Sequence, residues 1–166
     1  GLHPKSIRNY LSFVSSVFAY ALRMGVAKEN PCSRIVLPER QESEKKIFTI
    51  EETQAFLDAL DGEPLRYVVF FVLAIFGGYR REELLGFEFR DFNFTTNVVT
   101  VERVSLYDPA HGIFTGPPKT ARSHRSLKLP VWIFDMVKAL RAEQSMRRME
   151  LGDQWHESGR LFTKLD

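Results

Sequence analysis

The chain has 166 residues, 44% of them hydrophobic and 27% charged, with a formal net charge of +2. That length and apolar content suffice for a buried core, exclude a disordered or fibrous chain, and allow one domain or one domain plus a small piece of another. The single cysteine, Cys32, excludes an internal disulfide and a cysteine zinc cluster and fits a reducing cytoplasm.

Charge is unevenly placed. Residues 1–46 carry eight Lys/Arg against four Asp/Glu, a balance of +4, whereas residues 47–166 carry fifteen against seventeen, a balance of −2. Within the second part, Thr115 to Pro130 holds Lys119, Arg122, Arg125 and Lys128 and no acid, a local stripe of positive potential. The opening Gly1-Leu2-His3-Pro4 has no signal-peptide pattern, and the missing initiator Met points to a fragment or a processed chain.

From Ile7 onward, Ile7, Tyr10, Leu11, Val14, Val17, Phe18, Ala21 and Leu22 recur at three- and four-residue steps, the mark of an amphipathic helix, with Pro4 in its first turn and Gly25 at its end. Its other face carries Lys5, Arg8, Asn9, Ser12, Ser15 and Ser16, groups that suit either a solvated face or contact with phosphates and base edges. No acid occurs between Gly1 and Ala27. A lone helix with so wide an apolar face is expected to dock against the rest of the chain or a second copy. Asn30-Pro31 is a stop, and Ser33 to Lys46 has the charged composition of a linker.

Thr49 and Glu52 form a capping-box pattern, which predicts a helix over Ile50 to Leu60. Pro64 opens the next, and Leu65 to Phe76 is apolar on nearly every side, as expected of a helix central to a domain. Its apolar window, Tyr67 to Phe76, is far short of the ~20 residues a membrane helix needs.

The chain then turns through Gly77-Gly78-Tyr79-Arg80-Arg81-Glu82-Glu83-Leu84-Leu85-Gly86. With Glu82 to Leu85 read as the start of a helix, Arg80 and Arg81 sit at its positive end, where the macrodipole disfavours cations. A bound phosphate resolves that conflict, since helix-start N–H groups and a fixed guanidinium address the same oxygens. The competing reading has Glu82 and Glu83 answer the dipole and leaves both arginines as solvated charges.

Beyond it, Phe92 to Val101 predicts a hairpin whose second strand runs to about Leu106, and Tyr107 to Gly116 a loop or extended hairpin tip. Pro117-Pro118-Lys119-Thr120 is a turn, and Arg125 to Leu129 alternates like a strand. Pro130 starts a helix through about Leu151, with Phe134, Val137, Leu140 and Ala142 or Met146 inward and Gly152 at its end. Leu161-Phe162-Thr163 reads as a short strand. Helices, a small antiparallel sheet and a further helix make the class mixed α/β, mainly helical.

Gly78-Tyr79-Arg80, Glu83-Leu84 and Gly86-Phe87-Glu88-Phe89-Arg90-Asp91-Phe92 together resemble the first catalytic box of the tyrosine recombinase (phage integrase) family, usually TGxRxxELxxLxWxDI. His3 through Pro31 is similar to the closing helix of that family's core-binding domain, and Pro118-Lys119-Thr120 to the triplet that carries its hairpin lysine. The resemblance implies a core-binding helix over residues 1–32, a linker over 33–46 and a partial catalytic domain over 47–166.

It also implies a chemistry. A tyrosine hydroxyl attacks the scissile phosphate, leaving a 3′-phosphotyrosyl link and a free 5′-hydroxyl, and rejoining to another 5′-hydroxyl conserves the bond, so no cofactor is needed. Arg80 would stabilise the charge that grows on the phosphate oxygens, and Lys119 would protonate the departing 5′-oxygen. Glu83, three residues after Arg80, would orient or buttress it. Arg81, Arg103, Arg122 and Arg125 would clamp phosphates, as would Lys5, Arg8, Asn9 and Ser12 of the first helix; Arg103 is equally readable as a cross-strand ion-pair partner. The implied partner is double-stranded DNA, with self-association on it (a tetramer in the full-length family), in a bacterial, nucleoid-associated setting away from membranes.

The departures define the rest of the expectation. His3, His111, His124 and His156 all lack an Arg three residues on, and no tyrosine follows Tyr107. The family's second box and its nucleophile are therefore not in these residues, and the chain is expected not to cleave DNA unaided. Phe87 and Phe89 replace the commoner Leu and Trp, a volume-tolerant core change. Three readings follow: part of a recombinase of a mobile element, a non-catalytic DNA-binding module of the same descent, or a helical interaction protein whose basic stripe is a solvated face.

Overall fold

A computed structural model describes residues 2–37, 46–120 and 123–163. Most of the expected linker, and Arg122 with it, lies outside the described residues. The chain forms two compact units, Gly1–Phe48 and Thr49–Asp166.

In the first unit, helix α1 spans Pro4–Arg23. The His3 ring accepts the Lys5 N–H at 3.2 Å, and Pro4 occupies the first turn, where its missing donor costs nothing. The helix closes at Arg23, with Gly25 at φ +70°, well before Asn30-Pro31. Asn30 has a different task from the expected helix stop. It caps a 3-10 turn over Pro31–Arg34 by accepting the Cys32 N–H, and its amide donates to Ser15 O and Oγ at 3.2 and 3.0 Å. Ser15 is thus spent inside the unit. Tyr10, Phe13, Val14, Val17 and Tyr20 are exposed.

The second unit opens with α2 (Ile50–Asp58), started by the expected reciprocal Thr49–Glu52 capping box. Helix α3 (Leu65–Gly77) packs against α5 (Val131–Leu151) through Val69, Val72 and Leu73 on one side and Ile133, Phe134, Val137 and Leu140 on the other. Contrary to the all-round apolar pattern, α3 is not buried on every side: Tyr67, Phe71, Ile75 and Phe76 reach the surface. In α5, Ala142 and Met146 are exposed, and the inward position is taken by Gln144, whose amide donates to Leu161 O at 2.8 Å.

Between those helices lie the short α4 (Arg81–Gly86) and two small sheets. Strands β1 (Phe92–Asn93), β2 (Val98–Thr100) and β5 (Ser126–Lys128) form one antiparallel sheet, with Val99 opposite both Phe92 and Leu127. The single strand expected to run to Leu106 is broken. After Thr100 the chain leaves that sheet, and β3 (Val104–Asp108) pairs with β4 (Gly112–Gly116) as a separate hairpin. The break coincides with a tertiary contact: Arg103 turns onto Asp91 and Glu88 instead of continuing the ladder. The last expected strand is also absent among the described residues; a lone bridge joins Arg160 to Glu88, and Leu161 is buried against Phe87 O, to which its N–H donates at 2.9 Å.

The core is aromatic at its centre. Tyr79, Phe87, Phe92 and Phe134 meet edge to face in succession, at centroid distances of 4.9, 5.4 and 5.9 Å. That stack anchors the start of α4, where Arg80 emerges.

Candidate functional site

Helix α3 ends at Gly78, whose φ of +58° turns the chain without the penalty a side chain would bring. Gly77 is needed for space: a Cβ there would lie 2.0 Å from the Tyr79 ring. The paired glycines therefore seat a buried tyrosine and deliver Arg80 to the first position before α4.

Glu83 is the hub. Its carboxylate is 2% exposed and accepts four hydrogen bonds. Arg80 donates its backbone N–H to Oε2 and its Nη1 to Oε1, both at 2.9 Å. Arg125, just before β5, binds it bidentately, Nη1 to Oε1 at 3.0 Å and Nη2 to Oε2 at 2.8 Å. Burial opposes ionisation of Glu83, yet the bonds from Arg125 and Arg80 outweigh it and hold the carboxyl at about 2.

The helix start is consequently already answered. The Arg80 N–H, which the dipole argument offered to a phosphate, belongs to Glu83. The Arg80 guanidinium is different: its side chain is 67% exposed, and beyond the Nη1 contact its Nε and Nη2 make no hydrogen bond among the described residues. It is a tethered cation with free donors.

Arg125 has several supports. Its guanidinium lies over the Tyr79 ring at 5.4 Å and reaches Gly78 O and Ser123 O at 3.5 Å. Ser123 in turn is bonded to Thr120 twice, N–H to carbonyl at 2.9 Å and hydroxyl to hydroxyl at 3.0 Å. A continuous chain of contacts therefore runs from Glu83 through Arg125 and Ser123 to Thr120, the neighbour of Lys119. Pro118 is buried and Lys119 is exposed, so the turn carries an ammonium in water. Burial of Tyr79 pushes its hydroxyl up to about 12, which keeps it protonated at neutral pH.

The other expected contacts fall in three groups. Arg81 is exposed and pairs with Glu82 at 3.7 Å. Arg103 and Arg125, expected as phosphate clamps, have their guanidinium groups on acids: Arg103 binds Asp91 and lies 3.5 Å from Glu88 while 14% exposed. The partners of Arg103 sit in and before the 3-10 turn Phe89–Asp91, not across a strand pair. In the first unit Lys5, Asn9 and Ser12 are exposed and Arg8 is half-buried, all on one face of α1 at helical spacing. The link between Glu83 and Arg125 spans 42 residues and has no local signal; only the acid-free composition around Arg125 marked that stretch.

No helix among the described residues is long and apolar enough to cross a membrane. Among the same residues no group of three or more His, Cys, Asp or Glu is placed to hold a metal ion.

Comparisons with known proteins agree on one kind of relative. No family model matches the chain. It is 30% identical to a "Tyrosine recombinase XerC-like" protein of Caldanaerobacter subterraneus subsp. tengcongensis over 98% of its own length and 46% of the relative's. It is 23% identical to the ICEBs1 integrase of Bacillus subtilis over 100% of its length and 45% of that protein's. The chain thus spans about half the length of the curated relatives it matches. Its fold matches that of the Tn1549 transposon integrase, solved with a circular intermediate DNA, with a TM-score of 0.78 at 19% identity, covering 99% of this chain and 52% of that one.

Proposed function

We infer, from this chain's membership of the tyrosine recombinase family, that it is the portion of a site-specific DNA recombinase that grips the scissile phosphate and protonates the leaving strand. Its first unit is the end of the core-binding domain and its second the opening part of the catalytic domain. The partner is duplex DNA of a mobile element, on which copies of the protein assemble, in the bacterial cytoplasm at the nucleoid.

One observation carries this reading: a two-thirds exposed Arg80, anchored by a buried carboxylate, joined by bonded contacts to the turn that presents Lys119. Attack by a tyrosine hydroxyl places growing negative charge on the non-bridging oxygens. Arg80, already held at one corner, meets that charge with little reorganisation, so its stabilisation is greater in the transition state than in the ground state. Lys119, exposed beside the buried Pro118, supplies the proton to the 5′-oxygen as the bond breaks. Lys5, Arg8, Asn9 and Ser12 hold the duplex by phosphate contacts that position and do not react. The chain itself holds no HxxR and no tyrosine after Tyr107, so cleavage requires residues from outside it.

The test is covalent trapping by the intact recombinase on a nicked suicide substrate. Arg80→Ala lowers trapping by roughly 10²–10³, the cost of one oxyanion donor, and leaves duplex affinity mostly intact. Equal loss of both would make Arg80 a docking residue and remove the catalytic assignment.

A further inference from the structure

Glu83 faces two guanidinium groups with one charge. Had it faced Arg80 alone, both oxygens would have been open to that guanidinium, three residues away, and such pairs frequently close bidentately. Arg80 would then be neutralised and its outward donors turned inward. The structure shows the opposite division: Arg125 takes both oxygens at 3.0 and 2.8 Å, and Arg80 is left a single end-on bond. With four bonds accepted, the carboxylate has no lone-pair site left for a second fork.

We propose that Arg125 is a positioning residue that keeps Arg80 available to a phosphodiester, by occupying both oxygens of Glu83 and leaving the cluster one positive charge in excess. The proposal rests on the phosphate-gripping reading of Arg80. Two supports make Arg125 the better competitor for Glu83: its stacking on Tyr79 at 5.4 Å and its contacts to Gly78 O and Ser123 O, none of which Arg80 makes among the described residues. Arg125 is also only one-third exposed, so water competes less for it than for Arg80. The same contacts tie the tuning of Arg80 to the position of the Lys119 turn through Ser123 and Thr120.

The experiment follows the Arg80 Nε–H resonance of the 166-residue chain while inorganic phosphate is added at low salt. The wild-type signal shifts and saturates. In Arg125→Gln the affinity read at Arg80 falls roughly tenfold, equivalent to about 1.4 kcal/mol, as Arg80 closes onto Glu83. In the double variant Arg125→Gln/Glu83→Gln the competing charge is gone and affinity returns to within about threefold of wild type. A role for Arg125 as a direct phosphate ligand or a mere fold support predicts no such return.

The proposal is overturned if Arg125→Gln binds phosphate like the wild type, or if the double variant stays weak with an unchanged helical circular dichroism; either result leaves the role of Arg80 intact. If Arg125→Gln does not fold, Glu83→Gln alone decides: equal or tighter phosphate binding supports the proposal and a tenfold loss overturns it. An Arg80 signal that ignores phosphate in the wild-type chain overturns the phosphate-gripping reading itself, and the proposal with it.

Discussion

Replacing Arg125 by Met removes the charge paired with the buried Glu83, and with it the guanidinium that lies over Tyr79, while keeping an aliphatic stem. A carboxyl with an ordinary pKa of 4.5 held at about 2 contributes on the order of 3 kcal/mol at neutral pH. Breaking a buried pair by deleting one partner costs ~3–5 kcal/mol when nothing takes its place. Here Arg80 can turn onto the freed oxygens, so the expected loss at pH 7 is about 2 kcal/mol. The sign with pH follows from the depressed carboxyl. Its stabilisation is fully present above the unfolded value near 4.5 and is lost as pH falls towards about 2, so the gap between wild type and variant closes over that window. Urea unfolding followed by tryptophan fluorescence reads this cleanly, because both tryptophans, Trp132 and Trp155, lie in the second unit. A gap as large near pH 2.5 as at pH 7 would refute the carboxylate's part and assign the effect to stacking on Tyr79.

Three further outcomes are expected. Gly86→Ala destabilises the second unit by about 2 kcal/mol or more in the same unfolding assay, because the added Cβ would meet backbone, Arg103 O at 2.8 Å and Val104 Cα at 2.9 Å. Lys119→Ala slows strand cleavage by the intact recombinase by roughly 10²–10⁴, and the defect shrinks on a substrate whose leaving oxygen is sulfur, which needs little protonation; an undiminished defect argues against proton donation. Duplex binding by the chain weakens linearly in a plot of log affinity against log salt, as counterion release requires, and a flat plot in fluorescence anisotropy argues against phosphate contacts.

Several elements were legible because their causes are local. The Thr49–Glu52 box, the proline at the start of α1 and the left-handed Gly78 after α3 all act within a turn of chain, and each element begins or ends where they place it. The arginine stretch was legible as a site candidate because two cations at the positive end of a helix oppose its macrodipole. Strand ends were less legible: Val98 to Leu106 is uniformly suited to extended chain, but Arg103 is drawn to Asp91 and Glu88 and divides it between two sheets. The apolar face of α3 misled in the same way, since periodicity states what could be buried and not what has a neighbour to bury it.

The amino-acid order alone determined the helices, their caps and the family resemblance, for these depend on side chains a few positions apart. Which arginine serves Glu83, and which is left facing outward, was decided only on folding. A contact across 42 residues is set by how β5 and α4 come to rest against the aromatic core, and two guanidiniums of identical chemistry are told apart by burial, stacking and reach.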